Sequence, residues 1–466
     1  MTTELLRRLP DETPILLPAP PERPHNIRKE VWQIAWPSVL TFSLMTTNGI
    51  LDRIFVGKLG SDALAAVGVG GQIMFLLISL SMAITTGTTA LVARFTGAEE
   101  PEQATRSTGQ SIALGLISGL FCTVAVYAAI NPLLNLMRLS PAAQDQCRAF
   151  LHMALYGMIP MFVANVLGAA FRGLGDTRSP LKVMLCINVV HILGDMAFML
   201  GYFGAPKLGL RGGGIALSFS SVVSLVVYLI LLKRSPLADS LRWRHLKLTM
   251  EWAERILKIG IPAAFTALLR VTSLMAFTSV LARTAEKTLA VAALPIGMTA
   301  ESIAFMPGFG FSVAASALVG QSLGARDPER AERYGWAATW QAVGIMSFMG
   351  AVFFLAAEPF TRLFTHDPVV VGLAVSYMRI MAISEPMLAF GMVLTGGLQG
   401  AGETVKPTIV TAVSFWLFRL PLAWLLAIVW HHNAMGAWVS MSLTTVVAGA
   451  WSIVLFRDGR WKLKKV

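Results

Sequence analysis

"FRGLGDTRSP" (171–180) and "LQGAGETVKP" (398–407) carry one pattern twice: two glycines, an acid, a threonine and a proline in the same order. Gly173 and Gly400 are displaced by 227, as are Pro180 and Pro407. The echo spreads outward from there. "ALVARFTGAEEPEQA" (90–104) matches "ALVGQSLGARDPERA" (317–331), again displaced by 227. Pro37 and Pro262 are 225 apart, as are Leu64 and Leu289, and Pro160 and Pro386 are 226 apart. A displacement this constant over most of the chain marks an internal duplication.

Composition says what is duplicated. The chain has 466 residues, 55% hydrophobic and only 14% charged, with a mean hydropathy of +0.64, against about 25% charged in soluble proteins. Runs such as "GQIMFLLISLSMAITTGTTALVA" and "SFSSVVSLVVYLILL" approach or exceed the ~20 apolar residues needed to cross a bilayer. They do not alternate in polarity, which excludes a closed β-barrel. Charged and Pro/Gly-rich breaks divide the chain into twelve candidate helices, from near 31–56 to near 435–456. The expected fold is an all-α membrane protein with twelve transmembrane helices in two pseudo-symmetric six-helix bundles. Six crossings return the chain to its starting side, so the copies share an orientation and relate by an axis along the membrane normal. The boundaries read as a disordered cytoplasmic tail (1–29), an N-terminal bundle (30–234) and a cytoplasmic linker (235–250). A C-terminal bundle (251–456) and a basic cytoplasmic tail (457–466) follow.

The net charge of +12 reports topology rather than nucleic-acid binding. With both termini on one side, that side holds 24 Lys/Arg, including Lys233 to Lys247 and the C-terminal tail; the opposite loops hold eight, among them Arg53, Lys58, Arg138 and Arg362. The positive-inside rule then places both termini in the cytoplasm. Residues 1–27 contain six prolines and no sustained apolar core, so no signal peptide is read there. Cys122, Cys147 and Cys186 show no CxxC spacing, which argues against disulfides and thiolate metal sites.

Two facing bundles leave a cleft that can open to either side, and such a chain is expected to be a transporter working as a monomer. The G-x-G-[DE]-T-x-x-P loops repeat because the fold repeats: the glycines suit tight turns, and Asp176 and Glu403 can cap the helices that follow. Function belongs where the copies differ. Asp52 and Asp195 lie within apolar helices, where a charge costs about 2.5–3.5 kcal/mol on insertion scales. Their counterparts in the second half are Phe277 and Leu422. Counting inward at ~1.5 Å per residue from the outer helix ends, the two acids lie at nearly one level. Asn48 is one turn before Asp52, and Asn188, His191 and Asp195 form one stripe. Asn165, Ser218, Ser220 and Ser221 add further polar groups. Carboxylates, amides and hydroxyls suit Na⁺ or a proton relay. His191 and Asp195 by themselves offer too few ligands for a resident metal, and neither a metal nor a cofactor is expected. In the second half, Arg270, Glu301, Arg379, Glu385 and Arg419 read mainly as structural Arg–Glu pairs, with recognition of charged substrate groups as the functional alternative.

At these residues the chain resembles the multidrug and toxic compound extrusion (MATE) family, and its bacterial NorM- and DinF-like members in particular. "WPSVLTFSLMTTNGILDRIFVGKLGSDALAAVGV" is similar to the family's first-helix signature, with Asp52 on the acidic position, and the repeated loops are similar to its loop elements. The resemblance covers nearly everything from 30 to 456. It implies a cation-coupled antiporter in the bacterial plasma (inner) membrane, exporting drug-like organic compounds, often cationic and lipophilic, in exchange for H⁺ or Na⁺. It further implies a site pairing Asp52 with an Asn-x-x-x-Asp on the fifth helix; Asp195 matches, but His191 stands at the Asn position, which favours protons. The acid that some NorM-like members carry on the seventh helix is replaced here, with Arg270 the residue in its place. The nearest rival is a lipid-linked oligosaccharide flippase of a related fold. An intramembrane enzyme would need HExxH, a GxSxG with a base, or paired GxGD acids, and the sequence offers none of these.

Overall fold

The computed structural model describes residues 26–137, 139–430 and 432–464. Among these residues the regular structure is entirely helical. The first bundle comprises α1 (Ile27–Gly57), α2 (Ser61–Gly97), α3 (Pro101–Leu136), α4 (Pro141–Tyr156 and Met158–Gly173), α5 (Arg178–Gly194, continued by Asp195–Met199) and α6 (Leu210–Leu232). The second comprises α7 (Met250–Leu281), α8 (Thr288–Gly324), α9 (Pro328–Leu355), α10 (Pro368–Gly400), α11 (Val405–Ala412, continued to Trp430) and α12 (Ala434–Arg457). Ten of these helices are individually long and apolar enough to cross a bilayer. The two pieces of α4, bent by 54°, make an eleventh, and the more polar 31-residue α1 completes the twelve. The bend in α4 has a local cause. Pro160 lacks an N–H and its ring clashes with the carbonyl four residues back, at Tyr156, where the first piece ends.

The duplication is a physical fact of the packing. In the first bundle α1 packs on α5, α2 on α3 and α4, and α4 on α6; in the second α7 packs on α11, α8 on α9 and α10, and α10 on α12. Even the unusual backbone recurs. Gly175 and its repeat counterpart Gly402 both take φ +81° in the repeated loop, a conformation only glycine adopts at no cost. Asp176 accepts from the backbone N–H of Arg178 and Ser179 at 3.1 and 3.0 Å, and Glu403 accepts from that of Lys406 at 3.3 Å. Both acids therefore cap the next helix, as their position predicts.

Between the bundles, α1 packs on α8, and α2 packs on α7 and α8. The contacts fall on the side of the chain termini. Gln321 donates to the Gly173 carbonyl at 2.9 Å, Arg94 donates to the Lys464 carbonyl at 2.6 Å, and the Tyr334 hydroxyl donates to Glu30. Halfway along, Phe42 meets Phe309 with ring centroids 5.3 Å apart, and Thr46 donates to the Met306 sulfur at 3.4 Å. Beyond Thr46, no hydrogen bond, ion pair or ring contact joins the bundles among the described residues. The cleft is shut at the terminal side and parts toward the other.

One expected boundary shifts. Helix α1 begins at Ile27, capped by Asn26, inside the stretch read as a tail; residues 1–25 of that tail, and Arg138, lie outside the described residues. The linker and the C-terminal tail are docked on the bundles. Gln110 holds the linker through the carbonyls of His245 and Lys247, both at 2.7 Å. Trp461 is buried against Phe456 with centroids 4.6 Å apart, and Lys464 pairs with Glu403 at 3.2 Å.

Candidate cation-coupling site

Asp52 and Asp195 are distant in sequence, and the α1–α5 crossing brings both to one imidazole. His191 Nε2 lies 3.3 Å from Asp52 Oδ1 and 3.5 Å from Asp195 Oδ2. On its other side His191 Nδ1 faces the Ser220 hydroxyl of α6 at 3.4 Å. Asp195 is 1% exposed and His191 6%, whereas Asp52 is 34% exposed. The site therefore has a dry end and a wet end, with the imidazole between them. At Asp195 the α-helix of α5 gives way to a five-residue π-helical stretch; such insertions re-aim side chains and concentrate at functional sites.

The surroundings are short of donors. Both carboxylate oxygens of Asp195, Asp52 Oδ1, and the amide oxygens of Asn48 and Asn188 are buried and lack a hydrogen bond. Asn188 commits its nitrogen to the Leu44 carbonyl of α1 at 3.2 Å, which fixes the α1–α5 crossing and leaves its oxygen free. Buried acceptors without donors are costly, and a group of them calls for a cation. One ligand atom from each of Asp52, His191 and Asp195 can lie within 4.8 Å of the others. Asp52 thus joins the His191–Asp195 pair as a third group at this place. Asn165, placed with this group from sequence, faces α2 instead and donates to Ser81 at 3.3 Å. Ser218 also serves packing, bonding the Gly157 N–H and the Met153 carbonyl.

The second bundle departs from the pairing expected of it. Among the described residues no Arg–Glu ion pair joins Arg270, Glu301, Arg379, Glu385 and Arg419. Glu301 accepts from the Tyr377 hydroxyl, Arg419 donates to Thr444 and Thr445 at 2.9 and 3.3 Å, and Arg379 lies over Phe354. Glu385 Oε2 and Arg270 Nε are buried without partners. The reason is geometric: these residues lie on four helices, α7, α8, α10 and α11, and their spacing along the chain carries no information about which faces meet. At the place of Asp52 stands Phe277, buried against Trp438 with centroids 6.3 Å apart.

The MatE family pattern matches residues 37–197 and again 262–425, once in each bundle. The chain belongs to the MATE family. Its members are transporters, and the twofold match follows the internal repeat. The chain is similar to a probable multidrug resistance protein NorM of Thermotoga maritima, 28% identical over 454 residues and covering 96% of each chain. It is similar as well to the uncharacterized transporter YisQ of Bacillus subtilis, 26% identical over 95% of each chain. Among solved structures, an outward-facing MATE transporter of the MOP superfamily superposes with a TM-score of 0.87 at 24% identity, over 95% of this chain and 98% of the other. The bent form of the Vibrio cholerae transporter VcmN gives 0.86 at 22% identity, over 93% and 97%.

Proposed function

We propose that this MATE protein is a secondary active antiporter of the bacterial inner membrane, exporting organic, often cationic and lipophilic compounds in exchange for protons by alternating access. The observation that carries the reading is the meeting of two carboxylates at one imidazole. With both acids ionised and His191 protonated, the cluster keeps a net charge of −1 in a nearly dry site. A second proton neutralises it. The cluster therefore exchanges one positive charge as it moves between a wetter and a drier surrounding, which is what a coupling site must do. Asp52, on the cleft side, takes the proton from outside, His191 relays it, and Asp195 holds it away from water. The termini-side closure, with those termini cytoplasmic as the positive-inside rule requires, makes this conformation outward-open. Monomeric operation is in keeping with a cleft built wholly within one chain.

Proteoliposome transport of a lipophilic cation such as ethidium, with imposed pH and Na⁺ gradients, tests the reading. An outside-acid pH gradient should drive export, and a Na⁺ gradient at equal pH should not. No response to either gradient would refute coupling. The orphaned oxygens of Asn48 and Asn188 are what a Na⁺ reading would use. His191→Asn, by replacing the ring nitrogen with an amide oxygen, should accordingly raise Na⁺-driven export at least fivefold and flatten the pH profile. Unchanged cation dependence in this variant would make His191 a packing residue.

A further inference from the structure

The repeat is broken in the second bundle with the opposite sign. On α7, Ala263, Thr266, Ser273 and Phe277 are buried, and Arg270 sits on their stripe at helical spacing, which turns it inward from the lipid. On α11, Trp416, Leu417 and Phe418 are exposed while Ser414 and Arg419 are buried, so Phe415 and Arg419, one turn apart, share the inner side. The guanidiniums of Arg419 and Arg270 lie 3.9 and 5.9 Å from the centroid of the same Phe415 ring. Neither has a carboxylate within ion-pair distance among the described residues. Arg419 is held by two neutral threonines, and Arg270 Nε is buried with no acceptor at all. Glu301, which accepts from Tyr377, is near enough to attract Arg419 without forming an ion pair with it. Two cations on one ring, with no ion-paired carboxylate among the described residues, are the mirror of the first bundle's acceptors short of a cation.

Their place in the fold matters as much as their charge. The α7–α11 crossing is the repeat counterpart of the α1–α5 crossing that holds Asp52 and Asp195. Phe415 stands where Asn188 stands, and Ser273, at the position of Asn48, donates to the Phe415 carbonyl at 3.1 Å. Arg270 corresponds to Met45, the residue before Thr46, where the bundles part. It therefore lies at the depth at which the bundles part.

We propose that Arg270 and Arg419, arranged around Phe415, form an anion-holding subsite of the transport cleft, and that the compounds this protein carries include aromatic carboxylates. The carboxylate accepts charge-assisted hydrogen bonds from the guanidiniums, and the attached ring packs beside Phe415. The role of this subsite in transport rests on the exporter reading above; its ligand chemistry does not.

The test compares two probes of one shape. 2-Naphthoate is an anion at neutral pH, and 2-naphthalenemethanol carries a neutral hydroxymethyl in its place. Both are titrated by fluorescence into the purified full-length chain in maltoside micelles. The wild type should bind the naphthoate at least tenfold more tightly than the alcohol. Arg270→Gln and Arg419→Gln should each remove most of that preference and leave alcohol binding within about twofold, with Arg270→Lys retaining part of it. Retained alcohol binding shows that a variant is folded; if Arg419→Gln fails that check, the wild-type preference and Arg270→Gln decide. Equal affinity for both probes in the wild type, or a preference that survives Arg270→Gln, overturns the proposal. Repeating the titration in nanodiscs separates the two sources of anion. Naphthoate binding abolished by phosphatidylglycerol but kept in phosphatidylcholine would assign the arginines to a lipid phosphate and likewise overturn it. Ethidium export driven by a pH gradient is measured in parallel. Its failure alongside a clear naphthoate preference refutes the exporter reading and upholds the subsite, and the reverse pattern does the opposite.

Discussion

Asp52→Asn and Asp195→Asn should each reduce gradient-driven export to below a tenth of wild type at normal membrane levels. Asparagine keeps the shape of the carboxylate and one acceptor oxygen, so the α1–α5 crossing and the Asn188–Leu44 bond stay intact. What disappears is the proton. A ligand shifts a two-state equilibrium only through different affinities for the two states, and the difference here is one buried charge. The ionised cluster favours the hydrated, open cleft, and the neutral cluster tolerates the closed one. Distance labels across the outer mouth, one in each bundle, should therefore report more closed molecules at low pH in the wild type and almost no response in the Asp52→Asn/Asp195→Asn double variant. Equal responses, or dye export against its gradient by both single variants, would remove these acids from the mechanism. Glu301 and Glu385 would then be the next candidates.

Gly260→Val should abolish transport by a different route, leaving ion binding intact while preventing closure of the terminal side. A Cβ added at Gly260 would fall 1.4 Å from the Ala83 carbonyl oxygen, and one at Gly87 2.2 Å from the Ile256 carbonyl oxygen. Helices α2 and α7 therefore cross backbone on backbone, as small residues permit inside membranes. The companion crossing of α1 and α8 uses the other member of each pair: a Cβ at Gly310 would lie 2.9 Å from the Ala35 carbonyl oxygen. Ala35 and Gly260 occupy one repeat position, and Ala83 and Gly310 another, at the same two displacements that relate the prolines and the loops. Each crossing thus sets one alanine against one glycine. Valine at 260 cannot be relieved by a rotamer change because the obstacle is backbone, so α2 and α7 must separate. Cysteines placed near the terminal side should label at least tenfold faster in this variant, while the outer-mouth labels still respond to pH. Wild-type labelling rates would show that the crossing yields without opening the seal.

The sequence alone determined the class of molecule, because each element of that argument is local or periodic. Hydropathy identifies the helices, since a bilayer core has no water to satisfy exposed polar groups. The constant displacement establishes the two bundles, and the loop acids Asp176 and Glu403 announce their capping role from position. Asp52 and Asp195 were legible as the candidate pair because they break the repeat, and counting residues from the helix ends placed them at one depth. Depth, however, is one coordinate. Only the tertiary structure decides which faces of two helices meet, because side-chain direction around each axis is set by packing against several neighbours at once. That is why Asn165 turned out to face Ser81, why His191 joins both acids, and why the expected Arg–Glu pairs dissolved. It is also why Arg270 and Arg419, on helices separated by most of the second bundle in sequence, came together on the ring of Phe415.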